Sequence, residues 1–253
     1  MSADQHNHDT EGNADHEQNH SDHTRLGSAP LLIELREHVP FSVSAVAIGL
    51  IAAGTICILG FGGGTDAHAA HGTGLDHDDP ARLFFHLFHP AHMLFSATAT
   101  TAMFCRYERK KAKAVVIGLI GAIGVCGISD IAMPHVSLMI LGKQTPWHIC
   151  VIEHPTLVLP FAVVGVAVGV AAAGGVIKST LISHALHVLA STMASIFYMV
   201  GPLGMIEWIH DLGKMFIFVV LAVMVPCCLS DIVFPLMMSE SGRAGYEQEP
   251  HVH

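Results

Sequence analysis

The sequence predicts an all-α integral membrane protein. Six transmembrane helices form two inverted three-helix repeats, preceded by a disordered His-rich N-terminal tail. Three observations predict this class. First, hydrophobic residues make up 51% of the 253 and charged residues only 13%, with a mean hydropathy of +0.52. Soluble domains carry about 25% charged residues, so a water-facing surface cannot be built from this composition. Second, apolar runs recur at 41–62, 84–105, 114–137, 155–177, 180–202 and 213–238, each near the ~20 residues that cross a bilayer as a helix. Third, two motifs recur in the same order. H-x-x-H-x-x-x-S occurs at His89, His92 and Ser96, and again at His184, His187 and Ser191; C-x-x-S-D-I-x-x-P occurs at Cys126, Ser129, Asp130 and Pro134, and again at Cys227, Ser230, Asp231 and Pro235. An internal repeat governs the whole fold reading.

In chain order, residues 1–36 read as a cytoplasmic tail rich in His and acid. His6, His8, His16, His20 and His23 stand among Asp, Glu, Asn and Gln, and nothing apolar there offsets the entropy of ordering. The tail lacks the apolar h-region of a signal peptide. It suits a loose metal-collecting arm. Residues 37–141 form the first repeat, 142–240 the second and 241–253 a short C-terminal tail. Glu37-His38-Val39-Pro40 opens the first helix and Glu153-His154-Pro155 the fourth, each with proline where its missing N–H does least harm. Each repeat therefore runs from a Glu-His start, through an H-x-x-H helix, to an S-D-I-x-x-P helix. The loop after the first helix carries Asp66, His68, His71, Asp76, His77, Asp78 and Asp79, a second hydrophilic collecting segment. In composition this loop and the tail resemble those of zinc transporters of several kinds.

Arg106, Arg109, Lys110, Lys111 and Lys113 crowd the turn between the second and third helices, which places that turn and both termini in the cytoplasm. Trp147 and Trp208 fall near the outer interface. Three helices per repeat is an odd number, so the halves have opposite orientations, as in many secondary transporters with a site at the repeat interface. Gly118, Gly121, Gly124 and Gly127, with the Gly165–Gly169 pair, are small-residue ridges for close helix packing and for association into a homo-oligomer.

The six cysteines form no C-x-x-C pair and no disulfide framework. The formal charge of −9 excludes nucleic acid as a partner and leaves the bilayer and a metal ion. Histidine is the unusual residue, 20 against 12 Lys and Arg, and it is the commonest metal ligand. Depth along the helices sorts the candidate ligands into two faces. His86, His89, His92, Asp130, Glu153 and His154 fall toward the outer face. His184, His187, Asp231, Glu37 and His38 fall toward the inner face. At about 100° per residue His89, His92, Ser96 and Thr100 share one stripe, and so do His184, His187, Ser191, Ser195 and Tyr198. Polar stripes in a membrane face protein or water. Pro134 and Pro235 each stand four residues after an aspartate and would free that aspartate's carbonyl for a cation. His135 and His148 have no counterpart in the second half.

Imidazole with carboxylate suits Zn, Ni, Co, Fe or Mn rather than Ca²⁺ or Mg²⁺. Cys126, Cys227 and Met133 would add soft character and admit copper, which ranks below those metals because Phe234 stands where Met133 would repeat. The expected function is a permease for a divalent transition metal in the plasma (inner) membrane, coupled to protons, with His/Asp sites on both faces. Two alternatives are a membrane haem or di-metal oxidoreductase and a metal-sensing or assembly protein working through the tail. Two histidines three residues apart on one helix cannot clamp a haem from both sides, which weighs against the first of these.

Overall fold

The computed structural model describes residues 28–61, 80–108, 110–172, 178–204, 207–228 and 234–239; for 28–38, 60–61, 178–184, 207, 228 and 236 it describes the backbone alone. The His-rich tail through residue 27, the Asp66–Asp79 loop, Asp231 and the C-terminal tail lie outside the described residues, as do the side chains of Glu37, His38 and His184.

Every regular element among the described residues is helical. Helix α1 spans Ser28–Phe61 and α2 Pro80–Tyr107. Helix α3, Lys111–Gly127, passes through a π-helical turn, Ile128–Ala132, into α4, Met133–Ile140. A short α5, Cys150–Glu153, precedes α6, Pro155–Ala172. Helix α7 spans Lys178–Leu203, α8 Leu212–Cys228 and α9 Phe234–Met238. Helix α1 starts inside the segment expected to be disordered: from Pro30 the chain reads Leu31-Leu32-Ile33, which is helix-competent, unlike the polar stretch before it.

Five segments are long and apolar enough to cross a membrane: Val39–Leu59, Lys111–Ile140, Pro155–Ala172, Ala185–Leu203 and Trp208–Cys227. By length and composition the chain is a membrane protein. The expected second span, α2, falls outside these five although its 28 residues extend about 42 Å at 1.5 Å per residue. The reason is its polar content: His89, His92, Ser96, Thr98, Thr100 and Thr101 are all buried. Helix α2 is the helix most surrounded by others, packing on α3, α6 and α7, while α7 in turn packs on α1 and α8. The α2–α7 seam is aromatic, with Phe197 stacked on Phe84 at 4.7 Å and on Phe88 at 6.0 Å between ring centroids. Leu159, Phe161, Val163, Val164 and Val168 of α6 stay exposed, as expected of a face turned to lipid tails.

Small residues set the α2–α6 distance. A Cβ at Gly165 would run into the Leu94 carbonyl oxygen, and one at Gly169 would lie 2.7 Å from that of Thr98. The Thr98 hydroxyl donates to the Gly165 carbonyl at 3.1 Å, a polar tie across the same contact. Helix α4 ends in a Schellman arrangement: Lys143 N–H reaches the Leu138 carbonyl and Gly142 N–H that of Met139, with Gly142 at φ 76°.

Gly165→Ala should therefore push backbone from backbone and lower stability by about 1–3 kcal/mol. Gly124→Ala, which meets nothing within 4 Å, should leave stability unchanged or slightly raised. Thermal unfolding in detergent compares the two, and equal melting would contradict the packing described.

Candidate metal centre

The centre begins with a backbone irregularity. In the π-helical turn the Met133 N–H bonds the Ile128 carbonyl, five residues back. In that register the donor missing at Pro134 would have served Ser129, whose carbonyl is thereby left open, one residue before the aspartate named from a regular α-helix. The Ser195 hydroxyl of α7 donates to it at 3.1 Å.

The same turn holds Asp130, fully buried, at the meeting of α2, α3 and α7. Its Oδ2 accepts from His89 Nδ1 at 2.8 Å and His92 Nδ1 at 2.7 Å. Its Oδ1 accepts from the hydroxyls of Ser129 at 2.7 Å and Ser191 at 3.0 Å. A carboxylate only accepts, so both rings carry their protons on Nδ1 and a neutral ring turns a bare Nε2 away from Asp130.

For His92 that Nε2 points at His187 Nε2 of α7, 3.2 Å away, with Cys227 Sγ of α8 at 4.0 Å. His92, His187 and Cys227 are all buried, and their ligand atoms lie within 4.8 Å of one another. Two imidazole nitrogens on a tetrahedral Zn²⁺ at 2.0–2.1 Å stand about 3.3–3.4 Å apart. Three helices thus bring two nitrogens and a sulfur to ligand spacing.

A second group lies on the side of the Leu141–Ile149 connection. Its ligand atoms, from His86, His148 and His154, also lie within 4.8 Å of one another, and His86 Nε2 is 3.5 Å from His148 Nε2. Pro155 explains the place of His154: the residue before a proline is pushed out of the helical region, and His154 sits at φ −131°, ψ 55° between α5 and α6. Glu153 orients His148, whose Nδ1–H donates to Glu153 Oε2 at 2.6 Å, while the Ile149 amide donates to Oε1 at 3.0 Å. Carboxylate behind histidine is a common support of metal ligands. Burial holds the His148 ring below its ordinary pKa despite the pull of Glu153, so its neutral, ligating form persists into mildly acid solution. Phe85 lies between His89 and the second group: its ring stacks on His89 at 5.1 Å and meets His148 edge-on at 6.3 Å. His89 Nε2 is buried with no hydrogen-bond partner.

The predicted residues are therefore redistributed. His92 and His187, expected on opposite faces, meet in one group. His86 and His154 meet in the other, with Glu153 behind it. Asp130 and His89 support the first group from the side. Glu37, His38, His184 and Asp231 lie outside what the structure describes of side chains. Cys227 and His148 complete the two groups without having been counted among the site residues. Cys227 was readable as the repeat partner of Cys126; His148 lies in an irregular loop, where no periodicity marks a residue.

Asp130→Asn presents an amide in place of one oxygen, so either the two histidines or the two serines lose a shared acceptor. Zn²⁺ affinity of the purified protein should fall about 10–100-fold, read by competition with a chromophoric chelator. Unchanged affinity would remove Asp130 from the centre.

No protein-family model, curated protein or solved structure matches the chain.

Proposed function

We propose that the protein is a plasma-membrane permease for a divalent transition-metal cation of the Zn, Ni, Co, Fe or Mn class. The observation that carries the reading is the buried His92–His187–Cys227 group among membrane-spanning helices. Ionisable and metal-ligating groups are costly inside a membrane and mark ion pathways there. The His86–His148–His154 group supplies a mouth. From His86 to His92 α2 rises about 9 Å, with His89 midway and its Nε2 unpartnered. A buried polar atom left in this state costs about 1–3 kcal/mol, which a passing cation would offset. Metal binding displaces protons from imidazole and thiol, which makes protons the natural counter-ion.

In this reading α2 is the sixth span and both termini are cytoplasmic. The helix pairings support two inverted repeats, comprising residues 37–141 and 142–240. Exchanging α1 with α6, α2 with α7 and α3 with α8 turns α2–α3 into α7–α8, α2–α6 into α7–α1, and α3–α6 into α8–α1, all of which are observed. The haem alternative is disfavoured, because 3.2 Å between His92 and His187 leaves no room for an iron porphyrin between them.

Reconstituted vesicles with an internal Zn²⁺ dye test the reading. His187→Ala should cut uptake at least about tenfold. His148→Ala should chiefly raise the half-saturating Zn²⁺ concentration and leave the maximal rate nearer normal. Wild-type uptake by His187→Ala protein would reject the permease. Orientation has its own check: a cysteine introduced at Lys143 should react with an impermeant reagent from outside, and one at Lys111 only after the membrane is opened. The reverse pattern would invert the topology.

A further inference from the structure

We infer that the His86–His148–His154 group is an open metal site. Three imidazoles hold the ion, and its remaining position takes a small monodentate anion from outside, such as chloride or azide, in place of water. The inference deepens the permease reading and rests on that reading's use of this group as the mouth.

The donor count carries it. A tetrahedral ion takes four ligands, and sites that exchange their cargo use three protein ligands and keep the fourth position for water or substrate. Here three ring nitrogens lie within 4.8 Å of one another, and among the described residues no further His, Cys, Asp or Glu adds an atom to the group. The neighbouring carboxylate of Glu153 is engaged elsewhere: Oε2 accepts from His148 Nδ1 at 2.6 Å and Oε1 from the Ile149 amide at 3.0 Å. The first of these bonds leaves His148 Nε2 bare, 3.5 Å from His86 Nε2. His154 Nε2 is buried with no hydrogen-bond partner, an orphaned nitrogen within the group.

Access and charge name the class of ligand. His86 and His154 are only partly buried, whereas His92, His187 and Cys227 are enclosed, so a solute in water reaches the outer group and not the central one. Three neutral imidazoles leave the double charge of the ion intact, and the one carboxylate behind His148 offsets half of it. An anion in the fourth position completes the neutralisation where the site is partly withdrawn from water and uncompensated charge is costly. Arg82 stands four residues before His86 on α2, on the same helix face, and adds positive charge there. In the permease reading the ion sheds this ligand before passing Phe85, whose buried ring lies between the outer group and His89.

The experiment uses full-length purified protein carrying His187→Ala, which disables the central group, loaded with one equivalent of Co²⁺. Its reference is the same protein carrying His154→Ala as well, which subtracts metal held by the tail histidines. The visible Co²⁺ bands that depend on His154 should shift on titration with azide and saturate at one azide per metal. Bands that depend on His154 and ignore azide mean a fourth protein ligand and overturn the inference. Should His187→Ala fail to fold, the wild type set against His148→Ala reads the same difference. Zn²⁺ uptake into vesicles separates this inference from the reading it rests on. Uptake by a protein whose Co²⁺ ignores azide leaves the permease standing and sinks the open site. Azide binding in a protein that moves no metal does the reverse. Absence of any Co²⁺ band dependent on His154 overturns the inference and takes the mouth from the permease.

Discussion

The Asp130 carboxylate is the constraint on which the rest of the centre depends. It is fully buried and accepts four hydrogen bonds, two from imidazoles of α2 and two from hydroxyls, one of them on α7. An ionised carboxylate stripped of partners in a low-dielectric interior costs several kcal/mol. Helices α2, α3 and α7 therefore cannot part locally without exposing that cost. The same bonds set ring orientation and tautomer. His92 can present a bare Nε2 to His187 because Asp130 holds the proton on the opposite nitrogen.

The π-helical turn is what lets one short stretch do this. A regular helix would have left the proline-freed carbonyl on Asp130, beside its own carboxylate. Shifting the register by one residue opens the Ser129 carbonyl, and Ser195 donates to it. Backbone and side chain of neighbouring residues then make separate contacts with α7. Insertions of this kind often occur at functional sites.

Much of this was legible in the sequence, for reasons of periodicity. His89 and His92 share a helix face because three residues make nearly one turn, and Ser191 and Ser195 line α7 for the same reason. Repetition of the motifs singled out Asp130 among the acids. Depth was the weaker guide. At 1.5 Å per residue His92 lies about 18 Å from Pro80, and His187 about 14 Å from Lys178. Distances along single helices do not say where two helices cross, so dividing these histidines between faces separated residues that meet. Register was the other hidden variable, since no spacing rule announces a π turn. His148 shows a third limit: its position depends on an irregular segment between α4 and α5, and only the fold brings it to His86.

Helix α2 also has a consequence for how the protein is made. Its polar stripe keeps it below the apolarity of the five segments that are long and apolar enough to cross a membrane, and its partners on α6 and α7 are synthesised after it. While the ribosome is still adding α3, the face bearing His89, His92 and Ser96 has no α7 to cover it. With α2 as the sixth span, that face would need shelter until the second half is made. If α2 crosses the bilayer as the permease reading requires, a chain truncated after α4 would leave that polar helix without the α6 and α7 neighbours that cover its stripe.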